Sequence, residues 1–322
     1  MNTAATYRVR VAARELEALD ICSFELVSAD GSSLPPFSAG SHIDVHLAGG
    51  LIRQYSLCND PGESHRYLIA VLRDPASRGG SQAMHDQVEV GQILTISAPK
   101  NHFPLVQDAR HSLLLAGGIG VTPILCMAQR LACVGAGFEM HYCSRSRSRT
   151  AFVNRIEHAA FAQQVHFHFD DGAPNQKIDL PSLLSKPQAG THLYVCGPKG
   201  FMDAVLSAAR SAQWQESQIH FEFFGAEVQT ADTDTSFEVE LASSGRVVVV
   251  AKDQTVIHAL TEAGVDVLTS CEQGLCGTCL TRVLSGTPEH RDQYLTPDER
   301  AANDQFLPCC SRSKSARLVI DL

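Results

Sequence analysis

The chain has 322 residues, a length that favours two or three domains over a single core. With 44% hydrophobic and 19% charged residues it has globular composition, which excludes a disordered chain. Its formal charge of −9 argues against broad nucleic-acid binding through a basic surface.

The opening MNTAATYRVRVAAREL carries no apolar run, so no signal peptide is expected and the reading is cytoplasmic. Six short alternating runs follow, at 7–12, 22–27, 42–47, 52–57, 66–72 and 93–98, separated by Gly, Pro and Ser clusters. They predict a small antiparallel β-barrel over residues 1–106, interrupted by one helical piece at 82–88. From residue 107 the rhythm becomes strand, then helix. Strands are expected at 111–116, 138–143, 165–170, 193–196 and 219–223, with helices at 123–133, near 151–160 and around 201–212. This alternation predicts an α/β domain over 107–228, a parallel sheet with helices on both faces. The stretch 113–138 has Arg130 as its only charge, but Gly117, Gly118, Gly120 and Pro123 interrupt it. It reads as strand, turn and helix rather than a membrane span. The polar, acidic segment 226–235 reads as a linker. A third domain, 229–322, then opens with a hairpin from 237–241 and 246–251, a helix near 255–263 and a Cys-rich loop.

Eleven cysteines, an odd and mostly scattered set in so long a chain, do not suggest a secreted disulfide framework. The strongest local signal is SCEQGLCGTCL, which sets Cys271, Cys276 and Cys279 in C-x4-C-x2-C spacing, with Cys309 and Cys310 further on. This is the ligand spacing of a plant-type [2Fe–2S] cluster. Gly274 and Gly277 supply the backbone freedom that a loop wrapped around a cluster needs. A structural zinc site ordinarily uses two C-x2-C-like pairs, and a redox dithiol would leave Cys271 unexplained. Buried inert cysteines are the remaining reading. Either Cys309 or Cys310 can serve as fourth ligand on spacing alone.

Weaker signals concern nucleotides. LLLAGGIGVTPIL places Gly117, Gly118 and Gly120 between a strand and a helix starting near Thr122–Pro123, where free N–H groups attract a pyrophosphate. The strict G-x-G-x-x-G fingerprint is absent, and such turns often serve close packing only. YVCGPKGFMDAV repeats the design at Cys196 and Gly197, and two such turns at sheet ends suggest a ligand crevice. Cys196 alone would ordinarily be a small buried residue. Arg53, Tyr55 and Ser56 in RQYS can hold a phosphate and cover a planar ring, although the run is also an ordinary strand. Arg78, Gly79, Gly80 and Ser81 precede a helix and suit an anion.

RQYS, RGGS, AGGIGVTP, CGPKGFM, FEFFG and CEQGLCGTC…C stand in the order found in the phthalate dioxygenase reductase family, which includes vanillate O-demethylase reductase components. The chain resembles that family over essentially its whole length. The resemblance implies a multidomain fold: an antiparallel β-barrel for flavin, a parallel α/β domain like that of ferredoxin–NADP reductase, and an α+β β-grasp ferredoxin. It implies FMN contacts at Arg53, Tyr55 and Ser56, with Ser56 near the flavin N5 edge, and an FMN phosphate at Gly79, Gly80 and Ser81. Gly118, Gly120, Thr122 and Gly197 would flank the nicotinamide nucleotide. Cys196 would sit near the nicotinamide, and Phe224 would cover the flavin ring. The ligand set would be Cys271, Cys276, Cys279 and Cys309.

The same resemblance implies that NAD(P)H passes a hydride to FMN and that electrons then reach a Rieske-type oxygenase through the [2Fe–2S] cluster. The family leans towards NADH, although Arg145, Arg147 and Arg149 lie where an Arg can accept the 2′-phosphate of NADPH. Alternatives are a reductase for a di-iron or haem monooxygenase, or a non-catalytic iron–sulfur redox sensor. HRDQYLTP at 290–297 contains the HRD of a kinase loop, but Pro297 stands where the Asn is required. His166 and His168, on an apolar run, read as structural rather than as metal ligands. Residues 231–322 carry −6 of the −9, which predicts docking on a basic patch of the oxygenase.

Overall fold

The computed structural model describes residues 6–75, 79–224, 233–265, 267–268, 274 and 277–322. Two compact units divide the chain, Met1–Phe224 and Gly225–Leu322. Among the described residues no helix is long and apolar enough to cross a membrane.

Strands β1 (Thr6–Ala18), β2 (Ile21–Ser28), β3 (Ser41–His46), β4 (Ile52–Ser56), β5 (Tyr67–Leu72), β6 (Ile93–Ser97) and β7 (Lys100–Asn101) build the first sheet, with helix α1 (Gly80–Gln87) between β5 and β6. The strand order is β4-β3-β6-β1-β2-β5, and every pairing is antiparallel. An antiparallel bridge from Leu57 to Ile69, with the Cys58 N–H donating to the Leu68 carbonyl at 2.9 Å, joins the end of β4 to β5 and closes the barrel. Alternate residues point inward, as a period of two demands. Val9, Val11, Phe24, Leu26, Ile43, Val45, Tyr67, Ile69 and Ile96 fill the interior, and Met84 of α1 joins the same buried cluster. β1 runs well beyond the alternating core of 7–12, because register shifts after Val11 and Leu16 let it bend around β2.

The second sheet is parallel throughout. It is made of β8 (His111–Gly117), β9 (Phe138–Ser144), β10 (Val165–Phe169), β11 (Thr191–Gly197) and β12 (Ile219–Phe223), in order β10-β9-β8-β11-β12. Helices α2 (Val121–Val134), α3 (Val153–Glu157), α4 (Leu180–Leu184) and α5 (Lys199–Ser211) connect it. The central strand β8 is buried on both sides, which explains its unbroken apolar run. Leu113 and Leu115 face α4 and α5, while Leu114 and Ala116 face α2.

That second face carries the junction with the barrel. One continuous cluster holds Leu114, Ala116, Tyr194 and Cys196 of the sheet, Ile124 and Leu125 of α2, and Ile21, Ala39, Cys58, Leu68 and Ala70 from the barrel wall. Polar ties cross the same seam: Gln129 Nε2 donates to the Cys58 carbonyl at 2.8 Å, and the Val106 N–H donates to Tyr194 Oη at 2.8 Å.

The second unit is a mixed α+β fold. Its strands are β13 (Phe237–Leu241), β14 (Val247–Val250), β15 (Thr281–Ser285), β16 (Pro288–Glu289), β17 (Gln305–Phe306), β18 (Arg312–Ser313) and β19 (Arg317–Ile320), with helices α6 (Val256–Glu262) and α7 (Pro297–Ala302). The main order is β14-β13-β19-β15-β17, with β13 and β19 parallel and β16 paired to β18. Val256, Ala259 and Leu260 of α6 pack on Val239, Leu241, Leu318 and Ile320, the arrangement of a β-grasp. Arg312 is only 6% exposed and is held by the carbonyls of Gln254, Ala251 and Thr235, with Asp234 at 3.6 Å balancing its charge.

Candidate functional site

The parallel sheet reverses its strand order between β8 and β11, and ligands of open α/β sheets bind outside the strand ends at such a point. Both glycine turns end there. A Cβ on Gly117 would lie 2.7 Å from the Phe201 ring, and one on Gly197 would lie 2.9 Å from Gly117 Cα. A Cβ on Gly120 would overlap the Cys196 carbonyl. Gly117, Gly120 and Gly197 therefore let two turns meet backbone to backbone. Gly118 differs: it has φ of +52° and open space around its Cα. Thr122 is buried, and its hydroxyl donates to the Ile119 carbonyl at 3.1 Å within its own turn.

Strand parity decides what faces the barrel at this point. In β11 the residues Tyr194 and Cys196 lie on the barrel side, and Cys196 is in register with Glu222 of β12. Ser56, the last residue of β4, is only 6% exposed, and its Oγ donates to Glu222 Oε2 at 3.4 Å. Ser56, Cys196 and Glu222 thus come together from three strands. Glu222 is half-buried, and burial pushes its carboxyl up to about 8 against the weaker pull of the Ser56 hydroxyl. Burial first, then the neighbouring Glu222, push the Cys196 thiol well above its ordinary range. Around neutral pH the trio offers a hydroxyl, a thiol and a protonated carboxyl, all neutral donors.

A second group lies on the barrel. Tyr55 and Arg53 sit in β4, paired with Ile43 and Val45 of β3. Burial raises the Tyr55 phenol, so it stays neutral. Gly79 precedes α1 with φ of +87°, which a side chain would strain, and a Cβ on Gly80 would overlap the Arg53 side chain. Arg53 therefore crosses the first turn of α1, with its Nη1 donating to the Ile52 carbonyl at 2.8 Å, and a cation beside a helix start suits a phosphate. Ser81 Oγ accepts from the Asp74 N–H at 3.1 Å and ties this turn to the chain after β5. Phe224 follows β12 and is 41% exposed. Arg78 lies outside the described residues.

In the second unit Cys271 and Cys276 lie outside the described residues. Cys279 and Cys309 are buried, 4% and 2% exposed, and their thiols are within hydrogen-bonding distance of each other. The Gly274 N–H is directed at the Cys309 sulfur, as a loop built around thiolates requires. Gly274 and Gly277 have φ of +73° and +70°. A Cβ on Gly274 would overlap Cys310 Sγ, and one on Gly277 would overlap the Tyr294 ring. Cys310 Sγ is itself placed 3.8 Å from the Leu307 carbonyl. The donor set and the side-chain-free backbone fit a [2Fe–2S] cluster.

Sequence reasoning overlooked Glu222. It sits in the quoted FEFFG, and its signal is the strand parity that aligns it with Cys196. The arginines after β9 are largely committed: Arg147 pairs with Glu157 at 2.7 Å and Arg149 with Asp20 at 3.4 Å, while Arg145 is exposed.

Known proteins resemble the chain over nearly its whole length. Residues 239–314 match the 2Fe-2S iron-sulfur cluster binding domain family, and residues 97–219 match the dimethylamine monooxygenase subunit DmmA-like N-terminal domain. The chain is 58% identical to a vanillate O-demethylase oxidoreductase of Pseudomonas putida, over 97% of this chain and 98% of the relative. It is similar to the solved structure of phthalate dioxygenase reductase, described as a modular structure for electron transfer from pyridine nucleotides to [2Fe–2S]. That likeness has TM-score 0.80 and 40% identity, covering 99% of this chain and 98% of the other. It is also similar to an intact type IV self-sufficient cytochrome P450 monooxygenase, with TM-score 0.82 and 40% identity, over 98% of this chain and 41% of that one.

The raised Glu222 carboxyl sets a pH dependence. The folded protein keeps a proton up to about pH 8 that the unfolded chain has already released above the ordinary carboxylate range, so stability falls as pH rises through that interval. Between pH 5 and 8 the unfolding midpoint of the wild type should drop relative to Glu222→Gln, then level off. A change of at least roughly 2–4 °C is expected, the response to 1 kcal/mol in a unit of this size. A pH-independent difference between the two proteins would contradict the assignment.

Proposed function

The chain belongs to the phthalate dioxygenase reductase family, and we propose that within it the chain is the reductase of a Rieske-type oxygenase that O-demethylates a methoxylated aromatic acid. It is an oxidoreductase that carries electrons from a reduced pyridine nucleotide through flavin to a [2Fe–2S] centre, the reductase component of an oxygenase system. The 58% identity to the vanillate O-demethylase oxidoreductase over almost the full length of both chains carries the choice of substrate class. Enzymatic relatives along the whole chain leave no support for a non-catalytic redox sensor.

The residues divide the work as follows. Arg53 and the first turn of α1, with Gly79, Gly80 and Ser81, hold the phosphate of FMN. Tyr55 and Ser56 would line the flavin ring, Ser56 offering its hydroxyl and the exposed Phe224 a covering ring. Gly118 and Gly197 would flank the nicotinamide half of NADH at the strand-order reversal, with Cys196 supplying a neutral thiol to the wall there. Gly120 and Thr122 shape that turn through backbone packing and the Ile119 carbonyl. Bound there, FMN would supply hydride acceptance and single-electron release, chemistry that asks no strong general base of the protein. Glu222 keeps a proton at its carboxyl beside Ser56 Oγ and spares the crevice a fixed negative charge. NADH is favoured over NADPH because Arg147 and Arg149 already neutralise Glu157 and Asp20. Cys271, Cys276, Cys279 and Cys309 ligate the cluster, and Cys310 does not.

A second reading has its own support. The likeness to the reductase-sized part of a self-sufficient cytochrome P450 suits a haem monooxygenase as partner.

Reconstitution separates the two readings. With NADH and a vanillate O-demethylase oxygenase component, the protein should release formaldehyde from vanillate in step with NADH consumed. Turnover with a P450 and none with the Rieske oxygenase would reverse the assignment. The ligand set has a separate test. Cys309→Ser should lose the cluster absorbance while the flavin still reduces an artificial acceptor, and Cys310→Ser should keep both. The opposite pattern would make Cys310 the ligand.

A further inference from the structure

The face of the parallel sheet turned away from the barrel is apolar under α4 and α5 but polar at the β9–β10 edge. Glu139, His141 and Cys143 of β9 share that face with His166 and His168 of β10, since His166 is in register with His141 and His168 with Cys143. His141 is only 7% exposed, whereas His166 and Glu139 are open to solvent.

The hydrogen bonds here impose a count of protons. His168 Nδ1 lies 3.0 Å from the Gln176 carbonyl, which can only accept, so Nδ1 carries a hydrogen. In a neutral His168, Nε2 then holds a lone pair, and it faces His141 Nδ1 at 2.9 Å. If His141 donates from Nδ1, its own Nε2 lone pair is left against Glu139 Oε1 at 3.2 Å. If His141 carries its hydrogen on Nε2 instead, two imidazole lone pairs meet at 2.9 Å. Either neutral tautomer sets two acceptors face to face. His141 Nε2 is accordingly a buried nitrogen with no hydrogen-bond partner.

The cluster lacks one positive charge. A metal cation at the unpartnered His141 Nε2 supplies that charge and accepts the lone pair that no hydrogen bond takes up. His166 Nε2 also lies 3.1 Å from Glu139 Oε1, so one carboxylate oxygen stands 3.1–3.2 Å from two imidazole nitrogens. Donors bound about 2.0–2.1 Å from one ion stand about 2.8–3.0 Å apart in octahedral and about 3.3–3.4 Å apart in tetrahedral geometry, which bracket that spacing. No three His, Cys, Asp or Glu among the described residues are already gathered about a metal position. Here the buried His141 is the fixed donor, and rotation of the solvent-exposed His166 and Glu139 side chains completes the set.

We propose that Glu139, His141 and His166 form a binding site for a divalent transition-metal ion of the imidazole-preferring class, with His168 orienting His141 through its Nδ1–H. The neutral His168 accepts that hydrogen and fixes the tautomer that points Nε2 at the ion, the usual part of an outer partner of a metal-bound histidine. Such an ion would clamp the edge strand β10 to β9.

Cu2+ is the most informative probe, because such sites bind it most tightly and the oxidised flavin and oxidised cluster are silent in electron paramagnetic resonance. The oxidised full-length holoprotein should hold one equivalent whose spectrum shows nitrogen hyperfine structure from two imidazoles. His166→Ala, at an exposed position that leaves flavin and cluster absorbance intact, should lose one nitrogen coupling and bind at least about tenfold more weakly. Glu139→Gln should weaken binding, and His192→Ala, in the other stacked pair with His220, should not. No retained copper, sulfur ligation, or binding unchanged in His166→Ala would each overturn the site.

Discussion

The barrel and the parallel sheet share one hydrophobic core, and the chemistry of the first unit follows from that constraint. A sheet face can be buried only if its alternate residues are apolar or neutral, so the side of β8 and β11 that meets the barrel carries Leu114, Ala116, Tyr194 and Cys196. Each large apolar side chain removed from water there contributes about 1.5–3 kcal/mol, which fixes the two folds against each other. The same parity carries Glu222 to the barrel side of β12 and within reach of Ser56 at the end of β4. A carboxyl in such a place is costly when charged and keeps its proton. Neutrality at the crevice follows from the packing of its walls.

Backbone proximity is the second consequence. Two strand-to-helix turns meet at the strand-order reversal, and Gly117, Gly120 and Gly197 are there because side chains would collide with Phe201, the Cys196 carbonyl and one another. Their role is to close the wall of the crevice, while Gly118 leaves open space. In the second unit the cluster loop follows the same logic. Gly274 and Gly277 take left-handed backbone angles and leave room for Cys310 and Tyr294, while the Gly274 N–H reaches the Cys309 sulfur.

Much of this was legible in the sequence, where regular patterns carry the information. Six alternating runs correspond to the six longer strands of the barrel, and the strand–helix rhythm after residue 107 is the parallel sheet. The C-x4-C-x2-C spacing announces a cluster from composition and distance along the chain alone. What escaped is what depends on contacts between distant residues. Glu222 is an unremarkable Glu on an edge strand until register aligns it with Cys196. Arg147 and Arg149 read as nucleotide candidates, and only the fold shows Glu157 and Asp20 beside them. The segment that mimics a kinase loop begins α7, where Thr296 and Glu299 form a reciprocal capping box. The strands after residue 280 are too short for a period to emerge.

The proposed redox crevice lies where Ser56, Cys196 and Glu222 meet. Anaerobic stopped-flow reduction of the flavin by NADH, comparing wild type with Ser56→Ala, tests it most directly. Loss of a positioned donor at the reacting edge should slow the limiting rate of flavin reduction by about 10²-fold, with flavin content and the dissociation constant for NADH little changed. An unchanged limiting rate in a variant that still binds flavin and NADH would place the chemistry elsewhere.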